Sequence, residues 1–214
     1  NDGIHEDYMQ AAGLSSGTHY NKGLMASQIT NASCYTFVSE AHADESSVST
    51  SEVNNVRLFV QNGGNFLGQC AAGRAYENLT VSTDRLITQA GVDDPGIGGN
   101  IIFDNSDDPY AQTHGALSDQ GGSAESYKPT GGYISGTNIK RYAYDSNDGN
   151  NFKAYGGKAA NITTTKGGHV FYLAGHNYSS SGISNHNGRR MYLNAFLVPA
   201  QRPSNCNLNL GPIA

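Results

Sequence analysis

The chain predicts an α/β domain with a mostly parallel central sheet, and three stretches carry that expectation. Residues 34–39, 46–62, 65–70 and 71–77 read in succession as strand, helix, strand and helix, an order that implies parallel pairing through right-handed crossovers. At Cys70 the pattern changes abruptly from an apolar strand to small residues that open a helix. Residues 168–174 form a second buried apolar run, followed by a helical pattern that closes before Pro199. A chain of 214 residues can bury a core without covalent staples, so a single domain over 1–214 is expected and disulfides are optional.

Taken in order, residues 4–13 carry a short helical pattern ended by Gly13. The run 34–39 (CYTFVS) is rich in β-branched and aromatic residues and reads as a buried strand. Ser49 and Glu52 have capping-box spacing, and Val53, Val56 and Val60 follow at intervals of three and four before Gly63 and Gly64, so 46–62 is a helix. Residues 91–151 are dense in Gly, Asp, Asn and Ser, with apolar islands at 101–103 and 139–144. They read as a loop-rich insertion with short, partly antiparallel strands laid over the sheet. Met191, Tyr192, Ala195 and Phe196 share one face of a helix over 189–198.

Composition narrows the function. Only 14 % of residues are charged and the net charge is −5, with 13 scattered Lys and Arg, which argues against a nucleic-acid partner. No stretch is long and apolar enough to span a membrane. The Asn/Ser/Thr-rich, lysine-poor make-up points to a secreted or cell-surface protein. The expected partner is a small molecule, a carbohydrate or another protein, and the chain is expected to be part of a larger polypeptide. Cys34, Cys70 and Cys206 allow three pairings with one thiol left over; Cys34 with Cys206 is favoured because it anchors an irregular tail. The sequons at Asn31, Asn78, Asn161 and Asn177 carry no functional weight in a chain of this composition.

A nucleophile at a tight strand-to-helix turn is exposed at the sheet edge, flanked by small residues and aimed at by helix-start amides. Cys70 has that setting, with Gly68 before it and Ala71, Ala72 and Gly73 after; the Ala71 amide is the candidate oxyanion donor. Glu40, His42 and Asp44 alternate just after a strand and would project together if extension continued, as an acid-and-base pair or metal half-site beside Cys70. A capped, solvated turn is the plainer reading of that cluster. His114 and His186 are weaker candidates, the Asp-rich stretches 104–108 and 145–149 read as ordinary turns, and the 13 tyrosines as packing or a sugar-binding face. No resident cofactor or metal ion is expected.

Residues 63–73 (GGNFLGQCAAG) resemble the nucleophile elbow of the class I glutamine amidotransferase-like superfamily. Residues 166–176 (KGGHVFYLAGH), with the helix containing 189–194 (RRMYLN), resemble the closing strand and helix of its trehalose-utilisation (ThuA-like) branch. The resemblance spans residues 49–78 and 166–198. It implies a flavodoxin-like three-layer sandwich in which Cys70 matches the nucleophile and His176 the base. The orienting acid, usual two residues after that histidine, is replaced by Tyr178, leaving Glu40, Asp44 or Glu77 to stand in. The resulting expectation is an amidotransferase-like module that binds carbohydrate or protein without catalysis, the alternative being a cysteine-dependent hydrolase or amidase.

Overall fold

In the computed structural model, residues 3–23, 28–29, 34–79, 85–104, 107–113, 115–117, 123–159 and 167–200 are described. Strand β1 (Phe37–Ala41) leads to helix α2 (Thr50–Gln61), strand β2 (Asn65–Gln69) and helix α3 (Ala71–Asn78), preceded by helix α1 (Gly3–Ala11). The capping box at the start of α2 is formed: the Ser49 side chain accepts from the Glu52 amide, and the Glu52 carboxylate accepts from the Ser49 amide. Two first-turn donors are thereby satisfied, which fixes where the helix begins.

The remaining elements are β3 (Val92–Asp93), β4 (Ile101–Phe103), β5 (Lys128–Pro129), β6 (Ile139–Asp145), β7 (Asp148–Lys158), β8 (His169–Leu173) and helix α4 (Ile183–Leu197). Six strands form one sheet in the order β1-β2-β8-β7-β6-β4. Its β1-β2-β8 end is parallel, whereas β7, β6 and β4 pair antiparallel. The sheet is therefore mixed rather than mostly parallel. The apolar islands at 101–103 and 139–144 do not lie over the sheet; as β4 and β6 they extend it. Only β3 and β5 pair apart from it among the described strands.

Helices cover both faces. On one, Val53, Val56, Phe59 and Val60 of α2 and Ala72, Ala75 and Tyr76 of α3 pack against Phe66, Val170 and Tyr172. On the other, Ile4, Tyr8 and Met9 of α1 and Met191, Tyr192 and Ala195 of α4 pack against Leu67, Phe171 and Leu173. Strand β2 is buried at every position, as a strand covered by helices on both faces must be. Tyr8, Tyr110, Tyr127, Tyr155, Tyr172, Tyr178 and Tyr192 are fully buried, so these tyrosines fill the core of a chain without tryptophan instead of lining a sugar-binding face. No described helix is long and apolar enough to cross a membrane.

Candidate functional site

Three neighbouring parallel strands each deliver one side chain beyond their carboxyl ends, the edge at which open α/β sheets place their sites. The register pairs Ala41 with Gln69 and Gln69 with Leu173. His42, one residue past β1, therefore stands level with Cys70, one residue past β2, while His176 follows β8 by three residues. Among the described residues, His42 (φ 65°) and Cys70 (φ 54°) are the two non-glycine residues with positive φ. Each such conformation costs about 1–3 kcal/mol and persists only where the surroundings impose it. Here they do so by hydrogen bonds: the His42 amide donates to Gln69 O at 3.1 Å and the Cys70 amide to Leu173 O at 3.0 Å.

The bend at residue 70 is clamped from behind. Tyr127 is fully buried, burial pushes its phenol well above the ordinary range, and its hydroxyl donates to the carbonyls of Cys70 and Leu173. Its ring lies where a side chain on residue 73 would go: a Cβ on Gly73 would come within 2.7 Å of it. Gly73→Ala is expected to displace Tyr127 and destabilise the protein by about 1–3 kcal/mol. A thermal melt checks this; an unchanged midpoint would show that the clamp is slack.

Gln69, which the sequence reading passed over, ties the elbow to the opposite layer. Its amide donates to Tyr8 Oη and to the carbonyls of Gly175 and His176, and its oxygen accepts from His5 Nε2 at 3.0 Å. A buried glutamine immediately before a candidate nucleophile was the available signal. Burial lowers His5 to about 4, the bond to Gln69 acting against that shift, while the rings of Tyr8 and Tyr192 flank it. Because its folded value lies below the unfolded one of about 6.5, folding favours neutral His5. The stability present above pH 6.5 is thus lost as the pH falls toward 4, by about 3 kcal/mol in all. Urea midpoints at pH 7, 5 and 4 check this; the loss is expected to shrink in His5→Gln, and an equal loss in that variant would assign the acid sensitivity elsewhere.

At the centre, Cys70 Sγ lies 3.2 Å from His42 Nδ1 and 3.9 Å from His176 Nδ1, and the two nitrogens are 3.1 Å apart. The imidazoles meet edge to face, with an interplanar angle of 82°. Burial lowers the pKa of His42, His176 adds to the shift and Asp44 opposes it, which favours the neutral ring at pH 7. Cys70 is a free thiol with 0 % exposure, roofed by the half-buried imidazoles. Ala71 is the first residue of α3, where its amide has no intrahelical acceptor.

The carboxylates expected to orient the base are elsewhere. Strand β1 ends at Ala41 and the positive φ of His42 breaks the extension, yet Glu40, His42 and Asp44 all line one cavity of about 400 Å³ beside the strand end. Asp44 accepts from the amides of Ser46 and Ser47 in a capped turn. Glu40 lines a cavity of about 350 Å³ with Glu52, Tyr76 and Tyr192, whose walls do not include Cys70. Glu77 is buried at the far end of α3, bonded to Ile87, Thr88 and Tyr172. Among the described residues no carboxylate hydrogen-bonds to either imidazole. His186 is exposed on α4, and His114 lies outside the described residues.

The other expectations from sequence are local. Cys34 is disulfide-bonded; Cys206 lies outside the described residues. The Asn78 amide group both accepts from and donates to the Val92 backbone, a structural task at the end of α3. Asp145 accepts from the Asn147 amide as an ordinary turn residue, and Asp108 caps a 3-10 turn over Pro109–Ala111. The chain matches no protein-family model, and it matches no curated protein.

Proposed function

We propose that this protein is a cysteine-dependent hydrolase or amidase of amidotransferase-like, flavodoxin-like architecture. The observation that carries the reading is the conjunction of two strained residues, Cys70 and His42, whose reactive atoms lie 3.2 Å apart at the carboxyl edge of parallel strands. Backbone strain at a pair within hydrogen-bond reach is what a positioned nucleophile and base require. In the proposed step Cys70 Sγ attacks an acyl carbon while its proton passes to His42 Nδ1. The Ala71 amide stabilises the oxyanion, and the leaving group departs with the proton returned from His42. Water then hydrolyses the thioester. His176, assigned the base on resemblance, stands second to His42 in distance and packs edge to face against its ring. The disulfide at Cys34 supports an oxidising, extracellular-type compartment.

The zero exposure of the thiol favours a second reading, a non-catalytic module that binds carbohydrate or protein through its loops. One experiment separates the two. Metal-free native protein is treated with iodoacetamide at pH 7 and the adduct located by peptide mass spectrometry. The enzyme reading expects Cys70 to be modified faster than free cysteine, and a panel of activated acyl esters to be cleaved by the native chain but not by Cys70→Ser. Labelling of Cys70 only after denaturation would retire the enzyme in favour of the binding module.

A further inference from the structure

In a catalytic relay the histidine meets the nucleophile with one ring nitrogen and its orienting group with the other. Here both close contacts of His42 run through Nδ1, to Cys70 Sγ and to His176 Nδ1. A ring nitrogen has a single in-plane position, filled by a proton or by a lone pair, so it cannot serve two such partners as a chain would. The three atoms instead face one another as a triangle with sides of 3.1, 3.2 and 3.9 Å. The point equidistant from all three lies about 2 Å from each, close to zinc–nitrogen distances of about 2.0–2.1 Å and zinc–sulfur distances of about 2.3 Å.

We infer that His42 Nδ1, Cys70 Sγ and His176 Nδ1 form a binding site for a zinc-type ion. The chemistry of the donors agrees: a thiolate with two imidazoles suits zinc, whereas a calcium or magnesium ion would want oxygen ligands. The scaffold is rigid, since two of the donors follow adjacent strands and the third is held through its own carbonyl by Gln69. Binding replaces the Cys70 S–H bond with an S–Zn bond, the thiol proton leaving to solvent, while each imidazole contributes the lone pair of its Nδ1. Three protein ligands leave a fourth position for water or an exogenous donor. The ion and a nucleophilic thiol are mutually exclusive states of one sulfur. The inference goes beyond the acyl-transfer reading and stands on the triangle alone.

The test uses the full chain, stripped of metal by chelator and titrated with zinc against a chromophoric competitor. One ion per chain is expected, with affinity lowered at least tenfold in each of Cys70→Ser, His42→Ala and His176→Ala and unchanged in His186→Ala. Cobalt(II) added to the unmodified chain reads the sulfur ligand without any variant, and a thiolate-to-cobalt charge-transfer band of tetrahedral type is expected. Absence of that band, or a Cys70→Ser chain that binds zinc as tightly as the parent, would overturn the site. A metal-free chain whose Cys70 alkylates rapidly but takes up no cobalt would overturn it too, leaving the acyl-transfer reading in place.

Discussion

Glu77→Ala is expected to lower the unfolding free energy by about 3–5 kcal/mol, a large part of the total for a domain of this kind. The carboxylate has 0 % exposure and collects four donors: the Ile87 and Thr88 amides at 3.1 and 3.0 Å, the Tyr172 hydroxyl at 2.6 Å and the Thr88 hydroxyl. Burial pushes its pKa up and those four donors pull against the shift. Alanine leaves every donor without an acceptor in a space too enclosed to supply water, and an abandoned buried donor costs about 1–3 kcal/mol. Glu77→Gln keeps one acceptor but turns an amide group toward donors, so it is expected to lose about half as much. Urea unfolding followed by circular dichroism checks both variants. A Glu77→Ala midpoint equal to that of the parent would mean that residues 86–88 are held by packing alone.

That network explains a feature of the site as well. Glu77 joins α3, which begins at the elbow, to Tyr172 on β8, whose strand runs on toward His176. The two strand-to-loop exits that carry Cys70 and His176 are therefore braced from the α3 side by a buried carboxylate and by Tyr127, and from the α1 side by Gln69. The helix and strand that form this brace were visible in sequence because their patterns are local: small residues after an apolar strand, and a capping box ahead of α2. The brace itself was not, because Glu77 in a polar helix pattern looks solvated until tertiary packing encloses it.

The same division between local and long-range information accounts for the sheet. Strand β7 is an eleven-residue strand whose sequence, DGNNFKAYGGK, has neither alternation nor a continuous apolar run, and Asn151 and Lys153 are buried within it. Its glycines read as loop residues, yet a Cβ on Gly157 would sit 2.1 Å from Asn138 O. Glycine is there because a neighbouring backbone comes close, a reason that no window of sequence contains. Within the site, Cys70 was legible from its elbow, whereas the ranking of the two histidines was not. Which imidazole stands level with the sulfur depends on β1–β2 register, a pairing of residues 28 apart. The resemblance pointed to His176; the register puts His42 nearer.

That ranking has a kinetic consequence. His42→Asn is expected to slow alkylation of Cys70 in the metal-free protein by about a hundredfold at pH 7, since a positioned base contributes about 10²–10⁴ in rate. Asparagine suits the test because it tolerates the left-handed backbone at residue 42 and preserves much of the imidazole's bulk, so the roof over the thiol stays closed. His176→Asn is expected to cost less than about tenfold, its nitrogen being 3.9 Å from the sulfur and its contact with His42 one of edge-to-face packing. If His176 acts through His42, the double variant reacts no more slowly than His42→Asn alone, because residues that act as a unit lose their effect together. Additive losses would instead make the two imidazoles independent bases. A larger loss in His176→Asn than in His42→Asn would return the base to the strand on which the resemblance placed it.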